Sequence, residues 1–128
     1  MKVLKRIGLC VLALPFVLVC LYIIIEIVGA CVNHISTDRQ TSKLKTTLTT
    51  AVTDAEITDE YSWTGNTGNG NHVDCVSEVT FSSGLDENDI EKALKQNYDS
   101  FQLTVKENGD YTLRVVTLAP FWDNIEGH

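Results

Sequence analysis

Apolar residues crowd one end of this chain. Residues 7–25 (IGLCVLALPFVLVCLYIII) form an uncharged run broken only by Pro15, and nothing after residue 35 resembles it. Beyond it the pattern becomes periodic. Leu44, Leu48, Ala51, Val52 and Ala55 recur at helical spacing behind Ser36-Thr37-Asp38, residues suited to N-capping, which predicts a first domain helix despite six threonines that lower its propensity. Ala55, Ile57, Tyr61 and Trp63 then alternate with Glu56, Thr58, Glu60 and Ser62, a strand period interrupted on its apolar face by Asp59. After the glycine- and asparagine-rich stretch 65–71, Val73, Cys75, Val79 and Phe81 share one face of a second strand, with His72, Asp74, Glu78 and Thr80 opposite. Residues 86–96 read as a helix. Asp86 caps it, Ile90, Ala93 and Leu94 face inward, and Lys92 and Lys95 lie late, where the helix dipole favours them. Phe101, Leu103 and Val105 alternate again. Asn108-Gly109 predicts a two-residue type I′ hairpin turn. Tyr111, Leu113 and Val115 make the returning strand, with Val116 and Leu118 on its second face, and Pro120 ends the ladder.

The predicted class is α+β, in the order α-β-β-α-β-β. The expected architecture is a two-layer sandwich: a four-stranded, mostly antiparallel sheet with two helices on one face, following an N-terminal transmembrane or signal helix. A right-handed crossover through the second helix would allow one parallel neighbour. Such an order equals a circular permutation of a ferredoxin-like sandwich, or two αββ units side by side. Three stretches follow: a membrane-targeting segment over residues 1–31, a short juxtamembrane linker over 32–37, and a small domain over 38–128. About 90 residues is near the lower limit for one self-sufficient apolar core.

The apolar run decides how the first segment is used. Lys2, Lys5 and Arg6 precede it, the order of a secretory signal. Nineteen helical residues reach about 28 Å, roughly the thickness of a bilayer's hydrocarbon, whereas a cleaved signal needs only about 7–15. Length favours a retained single-pass helix, with Pro15 tolerable inside it and Glu26 at its interfacial end. The three N-terminal bases favour a cytoplasmic N-terminus. Arg39, Lys43 and Lys45 on the far side nearly balance them.

A second reading rests on Val28-Gly29-Ala30-Cys31, small residues before a cysteine just beyond an apolar run. This resembles the lipobox of bacterial lipoproteins, which implies cleavage before Cys31 and a lipid on its sulfur. Glu26 and the length of the run depart from that pattern. Cys10 and Cys20 read as small apolar residues inside the run, leaving Cys31 and Cys75 as the pair able to meet outside it. A Cys31–Cys75 bridge and lipidation of Cys31 exclude each other. Without the bridge, Cys75 is expected to be a buried free thiol.

Charge narrows the partners. The chain has 17 acidic and 10 basic residues; setting aside Glu26 and the three N-terminal bases leaves 16 and 7, so the domain carries a net charge of −9. Such a surface repels phosphate backbones and argues against a nucleic-acid partner.

Candidate chemistry is sparse, and no catalytic, cofactor-binding or metal-binding residue is assigned. His72 and Cys75 would point to opposite faces of a strand, with His34 and His128 too remote to complete a ligand set. The glycine-rich stretch lacks both the following helix and the lysine of a phosphate-binding loop. Asn66, Asn69, Asn71 and Asp74 supply oxygens but not the carboxylate density of a calcium loop. Asp59-Glu60 and Asp86-Glu87 read as solvated or capping carboxylates. Trp63, Phe121 and Trp122 are the candidate partner-binding residues, being the types enriched in interface hot spots, unless they serve to fill the small core. The expected function is non-enzymatic: a binding or accessory module for an unknown protein partner, held at the cell membrane as a single-pass or lipid-anchored protein with its domain outside the cytoplasm. Alternatives are a small envelope hydrolase or metal-dependent enzyme, and a structural or sensory subunit of an envelope complex.

Overall fold

The structure is a computed structural model that describes residues 1–68 and 70–127, with Lys2 described by its backbone alone. Its elements are α1 (Lys2–Ala51), β1 (Glu56–Gly65), β2 (Asp74–Ser82), α2 (Glu87–Lys95), β3 (Gln102–Val105) and β4 (Tyr111–Leu118). The class is α+β, and the four strands form one sheet in the order β1-β2-β4-β3. All its pairings are antiparallel, so the parallel neighbour anticipated from the crossover is absent. β2 and β3 run in the same direction, but β4 lies between them and satisfies both with antiparallel bonds.

The expected linker is not one. α1 is a single helix of 50 residues, about 75 Å long, and residues 32–37 continue it without a break. Ser36-Thr37-Asp38 therefore caps nothing. A stripe at three- and four-residue spacing explains the continuity: Glu26, Gly29, Asn33, Thr37, Thr41, Leu44, Leu48 and Val52 are all buried. Its upper part is apolar and belongs to the core; its lower part is polar and is matched bond for bond by the sheet and the C-terminal segment. Thr37 and Thr64 hydroxyls lie 2.6 Å apart, those of Thr41 and Ser77 2.7 Å, and Gln40 Nε2 donates to the carbonyls of Cys75 and Val115 at 3.0 and 3.2 Å.

The core joins Leu44 and Leu48 of α1, and Val52 just past its end, to Ile90 and Leu94 of α2 and to Val79, Phe81, Tyr111, Leu113 and Val115 of the sheet. Phe81 and Tyr111 stack with ring centroids 5.5 Å apart. α2 is built as its sequence suggests, with the Asp86 carboxylate accepting from the Asp89 amide at 2.9 Å.

Two local expectations need correction. Ile57 pairs with Phe81 but Glu60 with Val79, so β1 carries an extra residue, a β-bulge beside Asp59. Past it the faces exchange: Ile57 packs on the core, whereas Tyr61 and Trp63 point away and Glu60 pairs with Lys45 of α1. The β3–β4 hairpin does not use a type I′ turn. Gly109 has φ +88° while no residue other than glycine has positive φ among those described, and the Gly109 amide donates to the Lys106 carbonyl at 3.0 Å. A type I turn followed by a left-handed glycine is the three-residue hairpin, and it places Asn108 at negative φ. The Asn108 side chain instead brackets Asp110, accepting from its amide at 3.1 Å and donating to its carboxylate at 2.9 Å.

Candidate functional site: two exposed surfaces

The first surface is the face of the sheet turned away from the core. Trp63, Val76 and Val116 are aligned across β1, β2 and β4, with Tyr61, Glu78 and Arg114 in the next row. Tyr61 is 54% exposed, Trp63 39%, Val116 41% and Leu118 69%. Val76, between the two exposed partners of its row, is buried. The Trp63 ring lies over Gly65, where a Cβ would come within 2.7 Å of Cζ2. Arg114 lies opposite Glu78, and its buried Nε has no hydrogen-bond partner among the described residues.

The second surface is built where the chain after β4 returns to α1. Asn33, fully buried in the middle of the helix, clamps it. Its Nδ2 donates to the Phe121 carbonyl at 2.7 Å and to Asp123 Oδ2 at 2.9 Å, while its Oδ1 accepts from the Phe121 amide at 2.9 Å. Asp123 Oδ1 accepts the amides of Ile125 and Glu126, at 3.0 and 2.8 Å, which folds the segment into a tight turn. The segment continues down the helix. The Asn124 amide donates to Glu26 Oε2 at 2.8 Å, and Asn124 Nδ2 donates to Glu26 Oε1 at 3.1 Å and to the Tyr22 hydroxyl at 2.8 Å. His34 and Glu126 are joined at 2.7 Å. Gly29 makes room for Phe121: a Cβ there would lie 2.1 Å from Cδ1 of the ring.

The three aromatic candidates thus divide. Trp63 stands on the sheet face, half-buried Phe121 serves the clamp, and Trp122 is 60% exposed with its Nε1 donating to the Asn71 carbonyl at 3.0 Å. Cys31 is exposed on α1, and all four cysteines are free, so the bridge from Cys31 to Cys75 is not formed. Cys75 is buried with Sγ 3.9 Å from the Asn33 carbonyl. Burial pushes its thiol above the ordinary range and so disfavours the thiolate, against a smaller opposing effect of the Thr37 hydrogen bond. The segment Val28-Gly29-Ala30-Cys31 is continuous helix, in which Gly29 has a packing reason to be small.

His72 pairs with Asp74 at 3.1 Å, and Thr67 donates to the other oxygen of that carboxylate. Asn66 bonds the carbonyls of Gly70 and Gly127 at 2.7 and 2.9 Å, and its Oδ1 accepts the Gly68 amide at 2.6 Å, so the side chains of Asn66 and Asp74 are spent on holding the loop's own shape. Asn69 and His128, the remaining donors considered, lie outside the described residues. Asp59 bonds the Glu60 amide and Asp86 caps α2; neither acid faces its neighbour.

α1 is long and apolar enough to cross a membrane. All residues of the run from 7 to 25 are exposed, and at its end Tyr22 and Ile23 meet Asn124 and Ile125 of the C-terminal segment. Tyr61, Val116 and Leu118 are legible in the sequence as strand residues and Glu26 as an interfacial one, but not as parts of a site, and Tyr22 and Asn33 carry no pattern of their own. The three- and four-residue spacing from Glu26 to Leu44 was the available signal. Comparison with known proteins finds no matching family model, no matching curated protein and no matching solved structure.

Proposed function

We propose that the protein is a single-pass membrane protein that holds a small acidic binding domain outside the cytoplasmic membrane, where the open face of its sheet takes a protein partner. The architecture is read as a two-layer sandwich, one layer of helices covering one side of the sheet and leaving the other side free. The observation that carries the reading is that free side: Tyr61, Trp63, Val116 and Leu118 stand exposed together on strands whose opposite face is filled by the core. Rigid aromatics around a packed centre are what an interface hot spot requires.

Retention of the helix is supported by the clamp. Cleavage before Cys31 would remove Tyr22, Glu26 and Gly29, which together hold the C-terminal segment. Orientation is supported by charge position. Lys2, Lys5 and Arg6 adjoin the apolar run, whereas Arg39 lies 13 residues, about 20 Å, beyond Glu26 on the continuous helix.

Two measurements test the reading. A photoreactive residue at position 61 should give one discrete heavier adduct in living cells, and the same probe at Glu91 of α2 should not; no adduct at 61, or the same adducts at both, would refute it. Native Cys31 should react with an impermeant maleimide on intact cells in a protein of full mass. Reaction only after lysis would invert the topology, and a shortened, blocked protein would establish the lipid anchor instead.

A further inference from the structure

The level at which the C-terminal segment meets α1 sets it apart from the rest of the domain. Asn124 bonds Tyr22 and Glu26, the last turn of the apolar run, and Tyr22, Ile23, Glu26, Asn124 and Ile125 line a cleft of about 220 Å³ there. On a membrane-spanning helix that turn lies at the boundary between hydrocarbon and headgroups, where Tyr and Trp are enriched. The β1–β2 loop is tied to this segment, Asn71 accepting from Trp122 and Asn66 donating to Gly127, but the body of the sheet stands higher. Thr64, next to Trp63, bonds Thr37, eleven residues or about 16 Å up the helix from Glu26.

The outward chemistry of the segment differs from that of the domain as well. In a domain of net charge −9, an end facing only water would be expected to show its carboxylates. Here they turn inward. Asp123 is fully buried and Glu26 nearly so, each held by the hydrogen bonds described above, and Glu126 is tied to His34. What points out is Trp122, 60% exposed with its N–H already satisfied, Ile125, 61% exposed, and Asn124, whose side-chain amide is taken up by Glu26 and Tyr22.

We propose that residues 121–126 form a strap in contact with the lipid bilayer, seating Trp122 and Ile125 at the headgroup–acyl boundary beside α1. The strap rests on the reading that α1 spans the membrane, and it adds a second point of contact. A lone helix leaves its domain free to tilt and rotate; a strap bonded to its last apolar turn fixes which side of the domain faces the lipid. The open face carrying Trp63 is thereby held clear of the headgroups.

Tryptophan fluorescence of the full-length protein in phosphatidylcholine vesicles tests this directly. Trp63→Phe leaves Trp122 as the sole indole, and Trp122→Phe leaves Trp63. After a high-salt wash and flotation, Trp122 should be quenched by a spin label high on the acyl chain roughly twofold more than by one near the chain end, and only weakly by acrylamide. Trp63 should respond to acrylamide and to neither lipid label. Asn124→Ala, which releases the strap from Tyr22 and Glu26, should lower the lipid quenching of Trp122 in the Trp63→Phe background. A protein that floats while Trp122 is quenched by acrylamide alone overturns the strap and leaves the anchor standing. Equal lipid quenching of both indoles also overturns it, because the sheet face would then lie on the bilayer. A protein that does not float overturns the strap and the anchor together.

Discussion

Replacing Gly29 with alanine sets two effects of opposite sign against each other. In an exposed helix interior the change stabilises by about 1 kcal/mol, because alanine loses less backbone entropy. At this position a Cβ would lie 2.1 Å from Cδ1 and 2.3 Å from Cε1 of Phe121. Carbon atoms in contact sit at about 3.5–4.0 Å, so the ring must leave. It cannot leave alone, since the Phe121 amide and carbonyl are both bound by Asn33. Losing two hydrogen bonds at about 1 kcal/mol each, with about 1 kcal/mol of partial ring burial, outweighs the helix gain. The net expectation is a strap weakened by about 1–2 kcal/mol, close to a tenfold increase in its open population. Amide exchange reads this directly, because the Asn124 amide donates to Glu26 across to α1 only while the strap is closed, whereas the Ile125 and Glu126 amides bond Asp123 within the strap itself. In detergent-solubilised protein, Gly29→Ala should speed exchange at the Asn124 amide about tenfold and leave α2 unchanged. Unchanged or slower exchange, with a raised melting temperature, would refute the close approach and with it the packing reason for glycine here.

Asn33→Leu should destabilise by about 2–4 kcal/mol in denaturant melts, because it strips the Phe121 carbonyl and the buried Asp123 carboxylate of their shared donor. Gly109→Val should cost about 1–2 kcal/mol from its φ of +88°, whereas Glu107→Val in the same turn should cost much less. Equal midpoints would mean that the left-handed position is misplaced. In native protein Cys31 should alkylate readily at pH 8 while Cys75 resists until denaturant is added, read by mass spectrometry. The Asp54 carboxylate, held below its ordinary range by the Ser83 hydroxyl and the Gly84 amide, supplies stability that is present above the pKa of an unfolded aspartate and is lost as pH falls through its lowered native value. Asp54→Asn should therefore flatten the acid limb of the stability profile, and an unchanged limb would count against those two bonds.

Much of the architecture was legible from pattern alone, because the elements concerned satisfy themselves locally. α2 has its cap, its inward Ile90 and Leu94 and its late lysines within the ten residues 86–95, and it forms where they place it. The apolar run needs no partner within the chain and forms an exposed helix. The antiparallel four-stranded sheet likewise follows from alternation and turn residues, whereas the two helices expected before it are one. The hairpin at Asn108-Gly109 was legible as a turn, but a side-chain pattern does not distinguish a two-residue loop from a three-residue one. That depends on which carbonyl the Gly109 amide reaches.

What tertiary structure alone decided is where polar residues are buried and which way a strand faces. Hydrophobic periodicity finds a helix face only where that face meets a core, so the stripe through Asn33, Thr37 and Thr41 read as a linker followed by a helix cap. Those residues are buried because Thr64, Ser77, Phe121 and Asp123, remote in sequence, return to bond them. One extra residue in β1 turned Tyr61 and Trp63 from expected core positions to an open face, since strand side chains alternate and a single slip exchanges the faces. Within Val28-Gly29-Ala30-Cys31, likewise, the neighbour that requires the glycine lies 92 positions further along the chain. Sequence order carries local propensity and burial of apolar surface; the pairing of distant polar groups is settled only when the chain has closed on itself.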